Sequence, residues 1–417
     1  MRAVALIAAL GLITIIGGAV AAWHSAIAPV TPPTRQSFAA DEVARGATLA
    51  AIADCAVCHT TEGGRAFAGG RGVPTPIGTI YATNITPDPD TGIGRWSQAA
   101  FRRAMREGIA RDGSHLYPAL PYPHFTRATD EDIDAVYAFL MTRNAVHQET
   151  PPNRLPFPLD RRVLLAGWNL LYFRPSVWQP DPEHDAQWNR GAYLVEGVGH
   201  CGACHTPHNA LGAEETRRTL AGGYAEGWYA PALQRDSPAA LPWTDGALAA
   251  YLRTGYAPQH GAAAGPMTAV TETLATVPDE DVQAIAVYIA AQMPKRAAAA
   301  AGSPPRSGGD PAAAMIFAGA CGSCHGDDAQ MMRRGEPSLS LGSAVNAPTP
   351  RAVIQVILHG VPAREATAAP YMPGFEGMLT DAQITALTNY VRTRFSGKAD
   401  WSDVGAEVAK SRSGGGA

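Results

Sequence analysis

Six cysteines divide without remainder into three copies of one pentapeptide: Cys55-Ala56-Val57-Cys58-His59, Cys201-Gly202-Ala203-Cys204-His205 and Cys321-Gly322-Ser323-Cys324-His325. No other feature constrains the chain as tightly. Two thiols three residues apart on a helical turn can each form a thioether to a porphyrin vinyl group, and the histidine that follows then lies under the iron as proximal ligand. A thioredoxin-like redox pair or half of a zinc site also uses closely spaced cysteines. Neither needs a histidine directly after the second one, three times over. The spacing therefore predicts three covalently bound haem c groups, with His59, His205 and His325 as proximal iron ligands. No cysteine remains for a structural disulfide.

The chain repeats itself around each motif. Arg45-Gly46-Ala47 leads into the first, Arg190-Gly191-Ala192-Tyr193 into the second, and Phe317-Ala318-Gly319-Ala320 into the third. Each unit closes on an acidic or polar start and an apolar helix, opening at Thr129, Pro278 and Thr380. Thr129 and Thr380 suit N-caps, and acids in the first turn suit the helix dipole. Ile133, Val136, Tyr137 and Leu140 then recur at helical spacing. With 43 Gly, 34 Pro and only 17% charged residues, short helices and long turn-rich loops are expected, a mainly α chain. The expected divisions are a signal or anchor with linker over 1–35, and repeats over 36–148, 185–293 and 309–397. An apolar connector covers 149–184, a flexible Ala/Gly/Pro/Ser linker 294–308 and a tail 398–417, disordered at its Gly-rich end. The connector holds Leu155, Phe157, Leu165, Trp168, Leu171 and Phe173 and is expected as a buried strut between domains. Contact with a membrane or a docked partner are its alternatives.

The sixth iron ligand decides what each haem can do, since a Met thioether raises the potential. Met267, in Gly265-Pro266-Met267, lies 62 residues after His205, and Met372, in Tyr371-Met372-Pro373-Gly374-Phe375, lies 47 after His325. Both stand beside proline in the loop before the closing helix, which makes them the expected distal ligands in equivalent places. Repeat one departs: 61 residues after His59 stands Leu120, which cannot ligate iron. His124 is the expected substitute. His115, Met141 and an open iron are the alternatives.

Arg2 precedes an apolar run from Ala3 to Trp23, followed by a Pro-rich stretch. About 20 apolar residues can span a bilayer, whereas a signal core takes about 7–15. A retained N-terminal anchor is expected, with the body on the periplasmic side of the cytoplasmic membrane. Cleavage after Ala19-Val20-Ala21 is the alternative. A net charge of −4 without like-charge blocks excludes nucleic acid as an expected partner.

In combination these stretches resemble the membrane-bound triheme cytochrome c subunits of bacterial periplasmic dehydrogenases. That family serves quinoprotein alcohol dehydrogenases, gluconate-type flavoproteins and molybdenum hydroxylases. The likeness runs from residue 40 to 395. It rests on Arg190 to Leu194, Cys201 to Pro207, Gly227-Trp228-Tyr229-Ala230-Pro231, Gly265 to Met267 and Met372 to Phe375. Tyr81 to Asp88 and Gly92 to Ser97 add to it. Leu120 departs from the alcohol dehydrogenase pattern, which tends to Met there, and brings the loop closer to the molybdenum hydroxylase companions. The resemblance implies three tandem cytochrome c-type domains and a relay of electrons from a catalytic dehydrogenase subunit to ubiquinone or a terminal oxidase. No catalysis by the chain itself is expected, since it has no dinucleotide fingerprint, phosphate loop or nucleophile elbow. A free-standing shuttle, or a peroxidase-like haem enzyme with an open iron in repeat one, are the alternative functions.

Overall fold

The computed structural model describes residues 23–293, 295, 310–329, 338–363 and 371–413. The chain forms two compact units, Met1–Gln179 and Pro180–Ala417. Mainly helical as expected, it adds three two-stranded antiparallel hairpins among the described residues.

In the first unit α1 (Ala40–Ile52) leads into α2 (Cys55–His59), the motif turn. The hairpin β1 (Gly72–Thr75) and β2 (Gly78–Tyr81) follows, then α3 (Gln98–Glu107), α4 (Tyr122–Phe125) and α5 (Asp130–Met141). Ser97 and Thr129 cap α3 and α5 by accepting from the Ala100 and Asp132 amides. Helix α1 crosses α5 at Gly46, where a β-carbon would lie 1.8 Å from the Ala135 carbonyl oxygen. Arg45 beside it pairs with Asp132 at 2.5 Å.

The second unit repeats this crossing. Helix α7 (Ala186–Tyr193) follows the connector helix α6 (Leu165–Tyr172) in the chain and runs through a π turn, Leu194–Val198, into α8 (Gly202–His205). That π turn takes up one added residue: ten separate Gly191 from Cys201, against nine from Gly46 to Cys55. Hairpin β3 (Gly223–Ala225) and β4 (Trp228–Ala230) precedes α9 (Asp245–Thr254). A tight pair, β5 (Tyr256–Ala257) and β6 (Gly261–Ala262), leads to α10 (Pro266–Leu274) and α11 (Asp279–Gln292). Arg190 grips buried Asp281 with two bonds, 2.7 and 3.0 Å. Arg190→Leu leaves that carboxylate without its cation and is expected to cost about 2 kcal/mol. A lower urea midpoint for the haem-loaded chain, at unchanged slope, measures it.

The third repeat follows in the same unit. Helix α12 (Pro311–Ile316) passes through a π turn, Phe317–Cys321, into α13 (Gly322–His325). Then come α14 (Ser343–Asn346), α15 (Arg351–His359), α16 (Asp381–Ser396) and α17 (Val404–Arg412). Gln383 stands where the other closing helices carry Asp, and completes a capping box with Thr380. Residues 398–413 extend the core: Trp401, Val404 and Val408 join Ile354, Leu358 and Leu387. Repeats two and three also touch, as Gln355 Nε2 donates to the Gly227 carbonyl at 2.8 Å.

Two expectations are corrected. An N-terminal membrane anchor is not supported: among the described residues no helix is long and apolar enough to cross a membrane, and the apolar run lies almost wholly outside them. The connector is not a buried strut. Its inner side packs on the first repeat, while Phe157, Leu170 and Leu171 are 78%, 78% and 61% exposed. Helix α6 is apolar on nearly every face, so one-sided packing leaves leucines outside. The expected linker, 294–308, lies outside the described residues except for Lys295.

Candidate functional site

The first two hairpins each position a histidine by bringing a backbone carbonyl to its ring. After β2 the chain returns so that the Thr83 carbonyl meets His59 Nδ1 at 2.6 Å. After β4 the Pro231 carbonyl meets His205 Nδ1 at 2.7 Å. A carbonyl only accepts, so Nδ1 carries the proton and Nε2 keeps the lone pair that a metal takes. Burial lowers the pKa of both imidazoles, opposed in part by the carbonyl bond, and burial lowers that of His325 as well. Neutral imidazole is the ligating form. Among the described residues His325 has no matching carbonyl bond.

None of the six motif thiols is joined in a disulfide. Burial, with Cys58 and Asp54 adding to it, pushes the Cys55 thiol up to about 12, and burial raises Cys321 too. A redox-active pair needs the opposite, a depressed thiol. Among the described residues no three His, Cys, Asp or Glu side chains gather as a metal-ion site, which disfavours zinc. Paired thiols beside an imidazole, its tautomer fixed in repeats one and two, fit thioether attachment and axial ligation of haem.

The distal loops align by their backbone bonds. Helices α3 and α9 end at left-handed Gly108 and Gly255. The Leu116 amide then donates to the Gly108 carbonyl and that of Ala263 to Gly255, each at 2.7 Å. Ile109 pairs with His115 as Tyr256 pairs with Ala262. This register sets Leu120 opposite Met267. Met267 opens α10 after Gly265 (φ 56°), whose missing β-carbon would lie 2.3 Å from the Trp228 ring. Trp228 opens β4, the strand that runs directly into Pro231, so the Met267 loop rests on the support of His205.

The remaining candidates fall elsewhere. Met372 is half-buried and exchanges two backbone bonds with Val361, 2.9 and 3.0 Å, directly after Gly360. By pairing it takes the place of Ala262, not that of Met267, although the sequence set the two methionines as equivalents. His124 is buried on α4, four residues past Leu120. His115 is buried too, its Nδ1 3.4 Å from Asn169 Nδ2. Met141 closes α5 within the core. Sequence reasoning missed Tyr122 and Asn169. The Tyr122 hydroxyl donates to Asn169 Oδ1 at 2.5 Å, and its ring meets Trp168 and Phe173, which seats the connector on this loop. Burial raises the Tyr122 pKa.

Comparison with known proteins agrees. Residues 43–144 match the family described as cytochrome c, and 310–391 that described as cytochrome C oxidase, cbb3-type, subunit III. The cytochrome c subunit of the quinone alcohol dehydrogenase of Komagataeibacter europaeus is 36% identical over 399 residues, 89% of this chain and 84% of that protein. The gluconate 2-dehydrogenase cytochrome c subunit of Pantoea cypripedii is 36% identical over 395 residues, 89% of each. The chain belongs to the cytochrome c subunits of dehydrogenases. As a cytochrome c subunit it carries covalently bound haem c and transfers electrons. A nicotinate dehydrogenase subunit of Pseudomonas putida is 47% identical over 400 residues, 94% of this cytochrome subunit, which spans only 33% of that longer protein.

Proposed function

We propose that this cytochrome subunit relays electrons through three haem c groups, one in each repeat over 36–148, 185–293 and 309–397. The pairs Cys55 and Cys58, Cys201 and Cys204, and Cys321 and Cys324 hold them. His59, His205 and His325 ligate below, Met267, Met372 and His124 above. The carrying observation is the shared anchoring of His59 and His205, each with Nδ1 on a backbone carbonyl and Nε2 left for iron. Haem c, when bound, supplies one-electron redox chemistry. The chain's part is to ligate, to bury and to hold the repeats at fixed separation, without catalysis of its own. A catalytic dehydrogenase partner gives the electrons; ubiquinone or a terminal oxidase takes them. The 47% identity to a nicotinate dehydrogenase subunit, against 36% to alcohol and gluconate subunits, favours a partner that oxidises an N-heterocycle, which within the resemblance is the molybdenum hydroxylase class, over a quinoprotein or flavoprotein.

The test is a haem count by alkaline pyridine spectra with partner capture from the native host. Three haems per chain and reduction by the partner's substrate are expected. Cys201→Ala/Cys204→Ala should retain two of the three.

His115 stands as a second reading for the upper ligand of repeat one, because it pairs with Ile109 as Met372 pairs with Val361. His124→Ala is expected to create a haem that binds carbon monoxide, while His115→Ala leaves binding absent. The reverse outcome assigns the ligand to His115.

A further inference from the structure

His260 has no part in the relay described so far. It is 6% exposed, in the turn between β5 and β6. Among the described residues neither Nδ1 nor Nε2 has a hydrogen-bond partner. Its ring stacks on Trp243 at 3.5 Å and 12°. Burial pushes its pKa down to about 4, so it is neutral at pH 7, with one N–H to give. A buried donor left unpaired loses its hydration without return, and folded proteins rarely leave one so.

The register of the repeats shows what is particular about this position. Trp243 precedes the cap of α9 as Trp96 precedes that of α3. His260 then falls opposite Gly113 (φ 90°), where a β-carbon would lie 2.0 Å from the His24 carbonyl oxygen. Repeat one therefore closes this place with its own N-terminal segment. Repeat two fills it with an imidazole, on the strand pair that leads straight to Met267. A haem attached at Cys201 and Cys204 would bring two propionate carboxylates, acceptors for a ring N–H that no polypeptide oxygen among the described residues takes up.

We propose that His260, braced by Trp243, donates a hydrogen bond to a propionate of the haem on Cys201 and Cys204, and so raises the potential of that haem. The inference rests on the haem reading above. A donor draws carboxylate charge away from the iron, which favours the reduced form. His260 is a positioning residue here, since it does not touch the iron.

The test is potentiometric titration of the full haem-loaded chain. The wave absent from Cys201→Ala/Cys204→Ala identifies the second haem; if no wave is lost, the haem reading itself fails. His260→Phe keeps the stack and removes both nitrogens. It is expected to shift that wave about tenfold toward the oxidised form, ~59 mV lower for a one-electron couple. His260→Gln, which keeps a donor, is expected to stay within about twofold of the parent, and the near-infrared Met-to-iron bands should persist in both. His260→Ala replaces His260→Phe if the latter fails to load haem. An unmoved second wave in the donor-free variant, or equal shifts in His260→Phe and His260→Gln, would overturn the proposal.

Discussion

Gly191→Leu is expected to abolish the second repeat and take one haem with it. The cause is backbone, not side-chain, crowding. A β-carbon at Gly191 would lie 2.0 Å from the Ala284 carbonyl oxygen and 2.8 Å from Tyr288 Cβ. Neither can yield without parting α7 from α11, the helix pair that closes the repeat around its motif. Overpacking in a core usually costs about 1–3 kcal/mol, but a clash with main chain on a closing helix belongs to the exceptional class above about 4 kcal/mol. Gly319 is the control. Nothing lies within 4 Å of a β-carbon there, so Gly319→Ala is expected to change stability by less than about 1 kcal/mol. Haem per chain and thermal unfolding, followed by circular dichroism, measure both.

The second large effect exchanges ligands between repeats one and two. Met267→Leu is expected to remove one of two near-infrared Met-to-iron bands and lower the potential of the second haem. The size should be on the order of 0.1 V, within the ~0.8 V range that axial ligands span. Leu120→Met, made together with His124→Ala so that the sixth position is vacant, places a thioether at the position that the backbone register sets opposite Met267. It is expected to add a third band and raise the lowest of the three potentials. If this double variant adds no band, the loop between Pro118 and His124 does not present residue 120 as α10 presents Met267.

The features legible in the sequence were those carried by side-chain identity at fixed spacing. The three Cys-x-x-Cys-His pentapeptides, the Arg-Gly pairs at 45–46 and 190–191, and the capped closing helices were of this kind. Gly46 and Gly191 mark close helix crossings, because only a residue without a β-carbon permits them, whereas Gly319, two residues before its motif, marks none. What stayed hidden depends on backbone atoms, which have no letter of their own. The carbonyls of Thr83 and Pro231 fix the tautomers of His59 and His205, yet any residue at 83 would offer the same oxygen. The placement of Met372 beside Val361 follows from strand pairing, which its proline neighbour does not encode. The connector misled because apolar residues on all sides of α6 read as burial, whereas one side rests on Tyr122 and the other faces outward. Trp401, Val404 and Val408 lie beyond the closing helix α16, where the repeat pattern ends, so no recurring spacing marks them as core.

The proposed relay requires three haems on this chain, none with an open iron. Potentiometric titration of the purified haem-loaded protein, followed by visible and near-infrared spectra with and without carbon monoxide, tests it most directly. The account predicts three one-electron waves, two with Met-to-iron bands, the third lowest in potential, and none altered by carbon monoxide. Two waves, or a high-spin haem in repeat one that binds carbon monoxide, would contradict it.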